Sequence, residues 1–160
     1  MQLRRPRPEE HDRIGAVTVA AYEPYLLGVE DYYRQQLLDV ATRDREAEVW
    51  VAVDDDGTVL GNVTVCPEGS TWRELARDGE GEFRMLAVAP EARGRGVGTA
   101  LTSLVVDRFR DEGATAVVLS SLAEMRAAHR IYERLGFRRR PELDWSPQPG
   151  TDLIAYRKEL

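Results

Sequence analysis

EFRMLAVAPEARGRGVGT, residues Glu82 to Thr99, changes its hydrophobic period within a few residues. Phe83 to Val88 is an apolar run of strand length, ended abruptly by Pro90 and a cluster of glycines. From Gly98 onward the spacing is helical. Val97, Leu101, Leu104, Val105 and Phe109 fall on one face, Asp107, Arg108, Arg110 and Asp111 point away, and Gly113 supplies the stop. The stretch therefore predicts a strand, a glycine-rich loop and a helix. Gly94, Gly96 and Gly98 let the backbone take positive φ and approach a ligand with no Cβ in the way. The unpaired N–H groups of the helix start then point outward with the positive end of the helix dipole behind them, and Arg93 and Arg95 add fixed charge. A diphosphate is the natural guest.

Spacing decides which diphosphate. A phosphate-binding P-loop needs Gly-Lys-Ser/Thr, and this loop has no lysine. A dinucleotide fingerprint needs a third glycine where Thr99 stands; the next strand ends in Ser120 and Ser121, and too little chain follows for a second mononucleotide half. Arg93-x-x-Gly96-x-Gly98, directly after Leu86-Ala87-Val88-Ala89-Pro90, resembles the coenzyme A loop of the GNAT superfamily of N-acetyltransferases. The phrase AHRIYERLGF, Ala128 to Phe137, is similar to the Ala-x-x-x-Tyr-Glu-x-x-Gly-Phe signature that closes the cofactor site in that family. Together the two motifs cover residues 82 to 137. The resemblance departs at Met125, where many members carry an asparagine that contacts the cofactor.

The rest of the chain agrees with one domain over residues 1–160. The formal net charge of −6 speaks against a general nucleic-acid binder, while Arg84, Arg93, Arg95, Arg126 and Arg130 cluster in sequence around the phosphate loop. The acidic excess elsewhere suits a cationic substrate. Met1-Gln2-Leu3 runs straight into charged residues and no apolar run reaches membrane-spanning length, so neither a signal peptide nor a membrane anchor is expected. The single cysteine, Cys66, excludes an intramolecular disulfide and reads as a small buried residue; the expected location is cytoplasmic. His11 and His129 lack the spacing of a metal site, so no metal is expected, and His129 reads as a solvated helix position.

Leu3 to Arg5 reads as a first strand, with a helix carrying Ile14, Val17, Ala20 and Ala21 after it and a second amphipathic stretch from Val29 to about Thr42. Val49 to Val53 and Val59 to Val65 form a hairpin through Asp54-Asp55-Asp56-Gly57. Pro67 to Gly81 reads as a loop with room for one helical turn around Trp72 and Leu75, placed as a lid. Ala116 to Leu119 is a central strand, Ala123 to Leu135 a helix ended by Gly136, and Phe137 to Arg140 and Leu153 to Lys158 two last strands around a Pro/Gly-rich loop holding Trp145. The fold class is α/β (α+β), a single GNAT-like domain with a mixed central sheet of about six to seven strands and about four helices.

The resemblance implies acetyl-CoA as donor and direct transfer to a primary amine, with no metal. It implies that the central strand and its neighbour diverge, that the backbone of Leu86, Ala87 and Val88 lies along the pantetheine arm, and that the N–H groups of Arg93, Gly94, Arg95, Gly96, Val97, Gly98 and Thr99 hold the diphosphate, with Ala128 also at the cofactor. Val88 N–H then steadies the oxyanion and Tyr132 returns a proton to the departing thiolate. An alkylammonium with a pKa of about 10 needs a base; Glu82, at the start of the central strand, is the best-placed carboxylate and Glu80 the next. Tyr22, Tyr25, Tyr32 and Tyr33 are expected near the acceptor mouth, with Trp72 and Glu80 as further acceptor contacts. A small amine is the leading acceptor. A protein or peptide N-terminus is the alternative within the fold, and a CoA-binding regulatory module with little catalysis the alternative outside it. Dimers are frequent in the resembled family, which makes a homodimer possible.

Overall fold

The computed structural model describes residues 1–28 and 31–160. In chain order its elements are β1 (Gln2–Arg4), α1 (His11–Tyr22), α2 (Tyr32–Leu38), α3 (Val40–Glu46), β2 (Glu48–Val53), β3 (Val59–Cys66), β4 (Glu80–Val88), α4 (Val97–Asp111), β5 (Ala116–Leu122), α5 (Arg126–Arg134), β6 (Arg138–Arg139), β7 (Trp145–Gln148) and β8 (Thr151–Glu159). All eight strands join one sheet in the order β1-β2-β3-β4-β5-β8-β6, with β7 also paired to β8.

The described residues thus hold more strands and helices than the sequence implies, for local reasons. Asp39 leaves the helical region at φ −82°, ψ 69° and accepts the Thr42 N–H at 3.1 Å, which divides the second amphipathic stretch into α2 and α3. The start of that stretch, Val29 and Glu30, lies outside the described residues. The Pro/Gly-rich loop contributes β7, paired through Trp145 with Leu153 and Gln148 with Thr151. No helical turn forms between Pro67 and Gly79. The Asp-Gly hairpin is present, with Gly57 at φ 85° donating its N–H to the Asp54 carbonyl at 2.9 Å.

Helices cover both faces of the sheet, and successive residues of β3 show how. A Cβ on Gly61 would lie 2.9 Å from Val97 of α4, whereas the Asn62 amide donates to Thr18 Oγ1 of α1 at 2.8 Å. On the α4–α5 side Phe83, Leu101, Val105, Phe109 and Phe137 belong to one buried cluster; on the α1–α2 side Val19, Tyr22, Leu37, Met85 and Ala87 form a second.

Two departures from regular pairing shape the site. β4 and β5 are parallel and pair only from Glu80 opposite Ala116 to Glu82 opposite Val118, after which they separate. Against β3, Thr64 faces Arg84 but Asn62 faces Ala87, so β4 carries one extra residue. Met85 sits there at φ 55°, the left-handed region, as the bulge residue. Its effect is to bring neighbours onto one face: Arg84 stacks on Trp72 and Met85 joins Tyr22 and Leu37, all on the α1–α2 side.

Candidate active site

The gap between β4 and β5 opens into a cavity of about 810 Å³. Phe83 to Leu86 line one edge and Leu119 to Leu122 the other, while Tyr22, Tyr25, Tyr32 and Tyr33 stand on the α1–α2 side and Pro147, Gln148 and Thr151 of the β7–β8 hairpin on the far side. The four tyrosines expected at an acceptor mouth are therefore brought together. Tyr22 and Tyr33 meet edge to face at 6.0 Å between ring centroids, and burial raises the pKa of both. Trp72 lies one layer out, under the Arg84 guanidinium at 5.5 Å.

Tyr132 reaches the same cavity from α5. Its ring is buried against Phe83, Phe137 and Tyr156 at 5.9, 6.0 and 5.7 Å between centroids. Its hydroxyl has no hydrogen-bond partner among the described residues. Burial, with Tyr156 nearby, pushes its pKa well above the usual phenol value, so the proton stays on at neutral pH.

At one end of the gap lies the glycine loop. Gly94 and Gly96 take φ of 79° and 80°, and a Cβ at either would meet nothing within 4 Å, so both are glycine for conformation rather than packing. Gly98 is different, because a Cβ there would lie 2.7 Å from Ile131 and hold α4 off α5. The first N–H to find a backbone acceptor is that of Ala100, bonded to the Gly96 carbonyl at 3.0 Å; the N–H groups from Gly94 to Thr99 have none among the described residues. Arg93 is exposed at the loop and Arg95 pairs with Asp54 at 3.2 Å. Ala89 N–H donates to the Leu60 carbonyl at 2.8 Å, so strand alternation turns the Val88 N–H away from β3 and into the gap. Leu86 lines the cavity, Ala87 packs toward α1, and Ala128 sits half-buried on α5 against the core.

The structure corrects five expectations. Glu82 is fully buried and absent from the cavity lining, and its carboxylate accepts the N–H groups of Glu74, Leu75 and Ala76 at 2.8 to 3.1 Å. A carboxylate so enclosed anchors a loop instead of taking a substrate proton. Glu80 pairs with Arg157 at 3.1 Å and accepts the Arg77 N–H, away from the cavity, so it contacts no acceptor there. The 67–79 segment is pinned, not a lid, since Arg73 donates to the Cys66 and Pro67 carbonyls at 3.1 and 3.0 Å besides the Glu82 contacts. Arg84 faces the tyrosine cavity instead of the phosphate loop. His129 is buried, its Nε2 3.0 Å from Ser121 Oγ and 3.1 Å from the Leu122 carbonyl, and burial lowers its pKa. Cys66 behaves as expected: buried, its thiol is pushed up to about 12 and stays protonated.

Sequence reading missed Glu74. Its side chain turns into the cavity wall beside Arg84, with Nε 3.1 Å from Oε1, although it stands in a polar loop with no periodic signal.

A sheet split between two parallel strands, a helix start with free N–H groups at one end of the split and a protonated tyrosine inside it define a coenzyme A-dependent transferase fold. Residues 14–137 match the Acetyltransferase (GNAT) family, and the chain belongs to that family. It is 33% identical over 132 residues to mycothiol acetyltransferase of Cellulomonas flavigena, a match covering 70% of this chain and 36% of that protein. It is 32% identical over 138 residues to N-alpha-acetyltransferase 30 of Schizosaccharomyces pombe, covering 84% of this chain and 81% of that protein. The chain thus spans about a third of the first relative's length and most of the second's. The fold matches yncA of Salmonella typhimurium, solved with its cofactor acetyl-CoA, with a TM-score of 0.70 at 21% identity over 100% of this chain and 94% of that one. No helix among the described residues is long and apolar enough to cross a membrane.

The residues present fit the family's donor, acetyl-CoA: open glycine positions and free N–H groups for a diphosphate, and a gap bordered by the turned Val88 N–H for the acyl arm. Gly96→Val forces a β-branched residue to φ near 80° without touching the core, and is expected to weaken acetyl-CoA binding about tenfold in calorimetric titration.

Proposed function

We propose that the protein transfers an acetyl group from acetyl-CoA directly to the primary amine of a small molecule. The observation carrying this reading is the cavity itself, bounded on one side by tyrosines and on the other by the β7–β8 hairpin, which Trp145 Nε1 ties to Ser120 Oγ at 3.1 Å. Acetyl-CoA supplies the acetyl group as an activated thioester. The N–H groups from Gly94 to Thr99, with the Arg93 side chain beside them and the Arg93 N–H already donating to the Pro90 carbonyl, hold its diphosphate, the backbone of Leu86 to Val88 lies along the pantetheine, and Ala128 closes against it. Val88 N–H donates to the carbonyl oxygen as negative charge grows there. Tyr132 gives its proton to the departing thiolate. Tyr22, Tyr25 and Tyr33 seat the amine beside the thioester, which converts an encounter of two solutes into a reaction between neighbours. Trp72 supports this wall through Arg84.

A second reading, acetylation of a peptide N-terminus, is favoured by the Schizosaccharomyces pombe relative, because that match extends over most of both chains. The test is acetyl-CoA-dependent thiol release against polyamines, amino acids, aromatic amines, aminoglycosides and short peptides with free N-termini. Release with a small amine is the expected result. Release only with peptides selects the second reading, and acetyl-CoA binding without release to any acceptor overturns both in favour of a CoA-binding regulatory module.

A further inference from the structure

The cavity needs a group that takes a proton from the incoming ammonium, and Glu82 is enclosed by backbone. Three carboxylates remain along the cavity, Asp31, Glu74 and Glu124. Asp31 is committed to α2, its two oxygens accepting the N–H groups of Leu27 and Tyr33 at 2.9 and 2.8 Å. Glu124 is exposed in the turn before α5. Glu74 differs from both. Its side chain is only 23% exposed, its Oε1 is paired with Arg84 Nε at 3.1 Å at the bulge of β4, and its Oε2 has no partner among the described residues. Its position is nonetheless held firmly, because its own N–H donates to both Glu82 oxygens at 3.1 and 2.9 Å and the next two N–H groups follow.

Building on the N-acetyltransferase reading above, we propose that Glu74 is the catalytic base of this protein, binding the acceptor's ammonium and removing its proton inside the tyrosine-lined cavity. The step balances simply. An N–H bond of the ammonium breaks, the proton goes to a Glu74 oxygen, and the electron pair left on nitrogen forms the bond to the acyl carbon; as the carbon–sulfur bond then breaks, the nitrogen gives its second proton to water at the cavity mouth, leaving the neutral amide. The sulfur leaves with that bond's electrons and takes the Tyr132 proton; solvent at the cavity mouth later removes the proton from Glu74 and restores the tyrosine's.

The charges around Glu74 suit a base. Burial raises its pKa, with the Arg84 guanidinium opposing that shift and the Glu82 carboxylate adding to it. The neighbouring ionisable groups are Tyr33 on α2, Tyr22 on α1, Arg43 on α3, and Arg84, Glu82 and Cys66 on the sheet. Arg43 is fully buried and donates to Thr64 Oγ1 and to the Leu37 and Gln36 carbonyls. A carboxylate whose pKa is raised is, in its ionised form, a stronger proton acceptor.

The experiment compares wild type with Glu74→Gln and Glu74→Asp, reading acetyl-CoA affinity by calorimetry and thiol release as a function of pH with the best amine of the panel above. Glu74→Gln is expected to bind acetyl-CoA as wild type does and to lose about 100-fold in kcat/KM at neutral pH. The acid limb of the wild-type profile should be replaced by a rate that climbs with pH as free amine accumulates. Glu74→Asp should restore part of the lost rate, which a merely structural carboxylate has no reason to do. If the wild type turns over an amine and Glu74→Gln does so equally well with the same pH profile, the assignment is wrong while the enzyme reading stands. If the wild type binds acetyl-CoA but releases thiol to no acceptor, the enzyme reading falls and the assignment falls with it.

Discussion

Tyr132→Phe is expected to lower turnover about 100-fold while acetyl-CoA affinity and folding stability stay at the wild-type level. The substitution removes only the hydroxyl. The ring keeps its contacts with Phe83, Phe137 and Tyr156, and no protein hydrogen bond is broken, because the hydroxyl has no described partner. What is lost, under the proposed mechanism, is the proton given to the thiolate. The pKa argument fixes the pH behaviour as well: since burial raises the phenol above its ordinary value of about 10, it remains the protonated donor through the whole neutral range. Any alkaline fall in wild-type rate below pH 10 therefore belongs to another group. Steady-state kinetics beside a calorimetric titration checks both parts. Unchanged turnover removes the acid role, and a parallel loss of affinity shows that the hydroxyl holds the cofactor instead.

Glu82→Leu is expected to cost about 3 kcal/mol of stability in urea unfolding, a large effect for one strand residue. The leucine fills comparable space but strands three N–H groups, those of Glu74, Leu75 and Ala76, that the carboxylate now accepts. Glu82→Gln retains a carbonyl oxygen that can accept two of them, and is expected to lose about half as much. A surface carboxylate waiting for substrate has no such demand on the fold. A leucine variant as stable as wild type contradicts the anchoring role. The same variant also frees the segment that carries Glu74 and Trp72, so its KM for the amine should rise even where enough folded protein remains to assay.

Much of the cofactor side was legible because its signals are local. The strand ending at Val88, the helix starting at Val97, and Gly94 and Gly96 at positive φ all follow from residues within a few positions of one another. The pairing of Tyr132 with the gap came from the resemblance, and α5 delivers it there. The early tyrosines were placed by the same resemblance, and α1 and α2 bring them to one wall.

The acceptor side was not legible in the same way. Nothing in the run from Glu82 to Val88 marks Met85 for the left-handed region, yet that one residue sets Arg84 and Met85 on the same face where strict alternation parts them. Nor does sequence distinguish a strand-start carboxylate open to substrate from one covered by a loop: Glu82 and Glu74 are eight positions apart, and only the return of the 67–79 segment over the sheet encloses the first and presents the second. His129 tells the same story in reverse, a polar helix residue drawn into the core by Ser121 and Tyr156.

By itself, the sequence determined the order of elements, the phosphate loop and the family, because backbone conformation and hydrophobic period are written in neighbouring residues. Which carboxylate lines the cavity was decided only by tertiary structure, because a side chain's protonation and access depend on groups that folding alone brings within hydrogen-bonding reach.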